Sequence, residues 1–374
     1  MSDSPWTRRF DKTRYRFMRV DRATGAEVGS LRMLKGGTIT RNNDVRIMET
    51  ATVPVVGEFD IGNDLVRIYL DAEWPDGFKE TAVLGTFIPY VPSRNVYGSY
   101  STATVKLYGR LQELIEDKFS TPLVLPPKTN AVEAAAKICR DKGLEVIADP
   151  SDYVTTETRT YGVGAAQNNS ETDDTKLGAV NDLLGLAGFW AAKTDPMGRV
   201  LLRRYVAPED REPVWEFTEG PTAKFEREMV DERDTTSVAN HVVVVYASDE
   251  ETVVGEAWDR ESEFSVESRG YVITASYEYT SLPSGKTPEE RQAYADERAK
   301  SLLDTKQSVI RRVSITHAYA PLGIGDAVST SYPTGGVEGK FEIRTQQLTL
   351  SGGCPTAAEL RKFERKLKRD AKKR

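Results

Sequence analysis

"IGNDLVRIYLDAEWPDGFKETAVLGTFIP", residues Ile61 to Pro89, and "IGDAVSTSYPTGGVEGKFEIRTQQLTL", residues Ile324 to Leu350, follow one pattern. Each opens on Ile-Gly and an Asp, alternates to a Tyr, turns through Gly and Pro, and returns as a second alternating run. In the first, Leu65 and Tyr69 flank Arg67; in the second, Val328 precedes Thr330 and Tyr332. Residues two apart share a face of a strand, so each stretch reads as a β-hairpin with one wetted face. Gly beside Asp suits the turn into the first strand, because Gly takes positive φ without steric cost and Asp bonds its own backbone.

The text around the hairpins is also strand-like. "TRYRFMRVDRATGAEVGSLRML" breaks into two alternating runs about a turn at Ala23-Thr24-Gly25, and "GTITRNNDVRIMETATVPV" is rich in Thr, Val and Ile. "YSTATVKLYGRLQELIEDKF" passes from a strand into a short helix at about Leu111 to Lys118. A boundary follows at the proline-punctuated "TPLVLPPKTN". Asn130 is then placed to cap a helix over "AVEAAAKICRDK", with Gly143 as its stop, and "LEVIAD" reads as a strand. Residues 151–174 have neither helical nor strand period and read as a long loop. A second helix, "TKLGAVNDLLGLA", stops at Gly188 and leads to a hairpin turning at Asp195-Pro196-Met197-Gly198.

β character returns in "NHVVVVYAS", "GYVITASYEYTS" and "SVIRRVSITHAY". One helix interrupts it. Thr287, Pro288 and Glu290 form a capping box with Pro at the first helical position, and Ala295, Ala299 and Leu302 share a face. The predicted fold class is α+β, mainly β. Its parts are an N-terminal hairpin extension (1–34), a first antiparallel β-barrel (35–118), a small α/β insert (119–210), a second similar barrel (211–352) and a basic C-terminal helix or tail (353–374).

Composition narrows the function. The 374 residues allow roughly two to three domains. With 39% hydrophobic and 29% charged residues, and no apolar run near the roughly 20 residues that span a bilayer, no membrane segment is expected. The opening residues lack a secretory pattern, so folding in a cytoplasm is expected. Cys139 and Cys354 are too few for a disulfide framework or a four-cysteine zinc site. The last sixteen residues, Glu359 to Arg374, hold nine Lys or Arg against three acids, so the net charge of −6 divides into an acidic body of −12 and a basic end. As a helix that end puts Leu360, Phe363 and Leu367 on one face.

Chemistry-bearing residues are sparse. His241 and His317 sit at strand ends without metal-ligand spacing and read as core or edge histidines. Asp71, Glu73 and Asp76 beside Trp74 are conceivable as a glycosidase pair, although the Pro-Asp-Gly turn favours a solvated hairpin tip. The lone G-x-G in "YGVGAAQNN" lacks the strand-to-helix setting of a dinucleotide site. No catalytic, cofactor-binding or metal residue is predicted.

Taken in order, "IGNDLVRIYL…VLGTFIP", "NAVEAAAKICRDKGLEV", "LLGLAGFWAAKTDPMGRVLL", "ANHVVVVYAS" and "PLGIGDAVSTSY…EGKFEIRTQQLTL" resemble the baseplate hub proteins of tailed phages and related injection machines, the group that includes late control protein D. The resemblance spans about residues 35 to 350. It implies a homotrimer whose six barrels ring the tail axis, adapting a hexameric tube to a threefold tip or spike. It also implies as partners a distal tail or tail tube protein, a tape measure protein and a tip, spike or receptor-binding protein, in a virion assembled in the host cytoplasm. DNA would cross the lumen without specific binding, and an acidic lining would repel its phosphates. The first forty residues and the basic end fall outside the pattern. Two other readings are a tail-associated cell-wall hydrolase and a nucleic-acid-binding barrel that uses the basic end and exposed aromatics.

Overall fold

The computed structural model describes residues 4–34, 36–57, 59, 61–91, 94–162, 175–206, 210–234, 238–247, 252–262, 264–279, 287–306 and 309–364. The chain begins with strands β1 (Lys12–Val20), β2 (Glu27–Leu31), β3 (Thr38–Asn42) and β4 (Glu49–Val56). The first hairpin follows as β5 (Leu65–Glu73) and β6 (Lys79–Tyr90), and then a second, shorter one as β7 (Arg94–Tyr97) and β8 (Tyr100–Gly109). The insert runs α1 (Gln112–Glu116), β9 (Leu123–Leu125), α2 (Ala131–Arg140), β10 (Val146–Ala148), β11 (Arg159–Tyr161), α3 (Lys176–Leu186), β12 (Lys193–Thr194) and β13 (Val200–Leu202). Beyond it lie β14 (Trp215–Thr218), β15 (Val230–Asp234), β16 (His241–Ala247), β17 (Thr252–Trp258), α4 (Val266–Arg269), β18 (Thr274–Tyr279), α5 (Pro288–Lys306) and β19 (Val309–His317). The repeated hairpin returns as β20 (Ala327–Tyr332) and β21 (Val337–Thr349), followed by β22 (Thr356–Glu364).

Two compact units form. The larger comprises residues 1–228 and 315–359, the smaller 229–314 and 360–374. In the larger unit the strands run β1-β5-β6-β8-β4-β3-β21-β20-β14, with β2 on β1 and β7 on β8. β4 lies at the centre of that row, and the two hairpins occupy matching places, two and three strands out on either side. All neighbours in the row are antiparallel except β14 and β20, which are parallel. Gly62 and Gly325, which open the two hairpins, both have positive φ, at 58° and 87°.

The expected barrels and C-terminal helix are corrected. The described strands form open sheets rather than closed barrels, and the hairpin predicted to close a second barrel instead continues the sheet of the first, through β21 on β3. The predicted C-terminal helix is the strand β22 over Thr356–Glu364. There Thr356, Ala358 and Leu360 alternate inward, a period of two that displaces the helical spacing of Leu360 and Phe363. Residues 365–374 lie outside the described residues. The expected N-terminal hairpin is β1 paired with β2, and β1 also pairs with β5 from Lys12↔Glu73 to Val20↔Leu65.

The insert folds as its caps dictate. Asn130 accepts from the Glu133 amide and Thr175 from the Gly178 amide, while Gly143 and Gly188 turn the chain with positive φ. α2 and α3 bury Ala135, Ala136, Val180, Leu183 and Leu184 in one core with Val200 and Leu202 of β13. Part of the expected 151–174 loop is strand: β11 pairs with β9, and the Tyr161 hydroxyl donates to Asp182 at 2.7 Å. The rest of that loop, 163–174, lies outside the described residues.

The two hairpins and the insert meet at Arg41. Its neighbours across the ladder are Glu49 on β4 and Gln346 on β21. The buried guanidinium lies 3.3 Å from the Glu49 carboxylate and donates to Gln346 at 3.2 Å, to the Leu322 carbonyl at 3.1 Å and to the Leu84 carbonyl at 2.6 Å. Leu84 is the extra residue of a bulge where β6 slips against β5, so its carbonyl is free of the ladder and takes Arg41 instead. Thr194 of the insert donates to Glu49 at 2.8 Å, and Thr86 of the first hairpin donates to the Pro196 carbonyl at 3.0 Å. Burial pushes the Glu49 pKa up, against the pull of Arg41 and Thr194.

The smaller unit packs α5 on the sheet β17-β16-β18 through Val242, Val244, Ala295, Ala299 and Leu303. The capping box is present, with Thr287 and Glu290 exchanging backbone bonds at 2.9 and 3.3 Å. Leu303, rather than Leu302, fills the fully buried place. The helix approaches so closely at Gly255 that a Cβ there would lie 2.3 Å from the Ala295 carbonyl.

Two substitutions check this account by urea unfolding. Arg41→Ala strands Glu49 as a buried, unpaired carboxylate and is expected to cost about 3–5 kcal/mol. Gly255→Ala is expected to cost about 2 kcal/mol by forcing α5 off its strand.

Candidate functional site

Asp71, Glu73 and Asp76 are each tied up in an ion pair, His241 is stacked on Trp258, and His317 lines a cavity to which none of these four belongs. At the tip of the first hairpin, Asp71 accepts from Arg16 at 2.6 and 3.0 Å and from Thr81 at 2.7 Å. Glu73 pairs with Lys12 at 2.8 Å, and Asp76 with Arg8 at 2.7 Å. The pKa of each is lowered: Glu73 first by Lys12 and Asp76 first by Arg8, while at Asp71 the bonds from Arg16 and Thr81 outweigh burial. A glycosidase acid needs the opposite shift. Trp74 is buried against Trp6, Phe10 and Phe78, with ring centroids 5.2, 5.7 and 5.3 Å away, and presents no sugar-binding face.

The histidines are structural in their surroundings. His241 stacks on Trp258 at 3.6 Å, with Nδ1 3.0 Å from the Thr274 hydroxyl. His317, only 2% exposed, donates from Nδ1 to the Ala318 carbonyl at 2.7 Å, and burial lowers its pKa to about 4. Among the described residues no group of three or more His, Cys, Asp or Glu could hold a metal ion. Both cysteines are buried free thiols, and burial pushes Cys139 up to about 12 and Cys354 up to about 11. No helix among the described residues is long and apolar enough to cross a membrane.

The surface offers a different kind of site. β7 and β8 meet at Tyr97↔Tyr100 across Gly98 and Ser99, with Gly98 at φ 57° as a two-residue hairpin turn requires. The two rings stack at 5.3 Å, yet both remain exposed, at 52% and 55%, and neighbouring Val96 at 61%. Val56 pairs opposite Thr102 and Tyr90 opposite Lys106 on the same strand β8, bringing two more exposed apolar side chains to this end of the sheet. β7 has a single neighbour among the described strands, so its other edge is open to a further strand. Stacked tyrosines on a rigid turn bring large amphipathic area at little entropic cost, the chemistry of a protein-docking surface. The signal was present in "YVPSRNVYGSY", a Gly-Ser turn flanked by tyrosines, and sequence reasoning passed over it.

No protein-family model matches the sequence, and no curated protein matches it. Solved structures do. A tail protein from Neisseria meningitidis MC58 superposes with a TM-score of 0.64 at 14% identity, covering 93% of this chain and 96% of that one. The 43 kDa tail protein of prophage MuSo2 from Shewanella oneidensis gives 0.58 at 10% identity, covering 93% and 98%. The chain has the fold of these tail proteins. A Francisella PdpA-VgrG complex gives 0.55 at 8% identity, covering 97% of this chain and 60% of that one. The resemblance drawn from the hairpins and insert is thus met by a likeness of fold to tail proteins.

His317 supplies a check on the interior next to the site's sheet. Its folded pKa lies below the ordinary value of 6.5, so the unfolded chain binds more protons between pH 6.5 and about 4, and stability falls as pH drops through that window. His317→Gln, which cannot titrate, is expected to lose up to roughly 3 kcal/mol less than the parent between pH 6.5 and 4, read by urea unfolding at each pH.

Proposed function

We propose that this chain is a structural virion protein, a baseplate or tail-tip hub that works through interfaces rather than catalysis. The observation that carries the reading is the likeness in fold to two tail proteins over nearly the full length of all three chains. In this reading three copies assemble about the tail axis, and the doubled hairpin lets three chains present six similar faces to a hexameric tube. The partners are a distal tail or tail tube protein on one side, a tip, spike or receptor-binding protein on the other, and the tape measure protein within. The exposed β7–β8 hairpin is the proposed docking element, with Tyr97 and Tyr100 as its anchors. The acidic body suits a bore that DNA crosses without sticking.

Cell-wall hydrolysis has less support. Asp71, Glu73 and Asp76 are each paired with a cation, which holds them ionised at neutral pH. Nucleic-acid binding through the basic end draws on residues of which 365–374 lie outside the described ones.

Gold-labelled antibody against this chain should mark one end of the tail in purified virions. Label on the capsid, or none on particles that contain the chain, contradicts the reading. Tyr97→Ser with Tyr100→Thr is expected to lower the unfolding free energy by no more than about 1.5 kcal/mol, the worth of one exposed stacked cross-strand pair, while reducing incorporation into tails at least about tenfold. Unchanged incorporation shows that another surface carries the assembly.

A further inference from the structure

The larger unit contains a cavity of about 870 Å³, bounded by the N-terminal segment 7–11, the segment 221–226, the strand end 316–318 and the turn at 352–355. Its size is that of a ligand site. Phe10, Phe225 and Pro355 give it apolar walls. Two cations stand in it without an acid of their own among the described residues. The Lys224 ammonium lies 5.5 Å from the centre of the Phe10 ring and donates only to the Arg8 carbonyl. The Arg9 guanidinium is exposed and has no ion-pair or hydrogen-bond partner among the described residues. Burial, and then Arg9 as a like charge, bring the Lys224 pKa down to about 8.

Three other charged groups line the cavity. Arg8 is committed to Asp76 at 2.7 Å. Asp11 acts on Lys12, whose pKa it helps raise, and Glu226 is exposed. Neither acid figures among the groups that act on Lys224. The hydroxyls of Thr7, Thr222 and Thr316 and the imidazole of His317 complete the polar wall. With the His317 Nδ1 proton given to the Ala318 carbonyl, its buried Nε2 presents a lone pair that no group among the described residues meets.

We propose that this cavity binds an extended acidic peptide segment of a partner protein. A carboxylate side chain would neutralise Lys224 and Arg9, and a backbone N–H would donate to His317 Nε2. A bare anion such as sulfate fits less well, because it brings only lone pairs to that nitrogen. The apolar walls suit the rest of a peptide backbone and its small side chains. The chain as a whole carries a net charge of −6, so an acidic peptide held here is held by the local cations against the general field. The site is separate from the β7–β8 hairpin and stands whether or not the chain forms a ring.

The test uses the full chain and a fluorescein-labelled, end-blocked hexapeptide alternating glutamate and alanine, followed by fluorescence anisotropy. Saturable binding is expected, weakened about tenfold when glutamine replaces glutamate in the peptide, and about tenfold by Arg9→Ala with Lys224→Met. Arg9→Ala alone, at an exposed side chain that leaves the fold intact, should still weaken binding about threefold. Affinity should also fall as pH rises past the Lys224 titration near 8. No saturable binding, equal affinity for the two peptides, or unchanged affinity in both variants overturns the proposal. Displacement by millimolar sulfate overturns it in favour of a simple anion site.

Discussion

A buried guanidinium tolerates little freedom. Arg41 must find acceptors or carry the cost of an unsatisfied charge, and those it finds come from four separate stretches of chain, its Nε meeting Glu49 as an ion pair at 3.3 Å and not as a hydrogen bond. Glu49 and Gln346 face it across the ladder, Leu84 offers a carbonyl released by a bulge, Leu322 offers another, and Thr194 completes the shell by holding Glu49. The first hairpin, the second hairpin, the central strand and the insert can satisfy Arg41 only when all are in register. Nearby glycines leave room for the neighbouring side chains. A Cβ on Gly325 would lie 2.4 Å from the Lys193 ammonium, and one on Gly109 would lie 3.1 Å from the Glu49 side chain.

This constraint explains why the repeated hairpins lie where they do. Their return strands β6 and β21 flank β8 and β3, which in turn flank β4, so the two copies are held in matching places about a single central strand. The outer parts of the sheet are left to other work. β7 ends at an open edge with exposed tyrosines, and the segment before β1 folds back so that Trp6 packs on Trp74 and Tyr319 at 5.2 and 4.8 Å while Phe10 and its flanking cations line a cavity. Interior charge fixes the frame, and exposed aromatic and cationic groups are what the frame presents to partners.

Local features were legible in the sequence and distant ones were not. Asn130, Thr287 with Glu290, and the turn at Asp195-Gly198 were readable because a cap or turn is settled by a few adjacent residues. The hairpins were readable for the same reason. Which strand pairs with which depends on partners hundreds of residues away, so closed barrels were inferred where β21 in fact joins β3. Arg41 sits in "TITRNN", where nothing distinguishes it from a solvated strand residue, and its role depends on Leu84 and Leu322 arriving from elsewhere. The C-terminal segment fitted both periods. Leu360 and Phe363 satisfied a helix, but Thr356, Ala358 and Leu360 satisfied a strand, and the strand buries all three. The acids at Asp71, Glu73 and Asp76 were visible, whereas the cations that neutralise them come from Arg8, Lys12 and Arg16, outside the hairpin.

In the proposed assembly, two hairpins per chain are the means by which a threefold ring meets a sixfold partner. Native mass measurement of the purified full-length chain, followed by particle imaging, tests that claim most directly. A three-subunit mass and a ring with six lobes around a central hole are expected. A stable, closed dimer without a hole would contradict the claim.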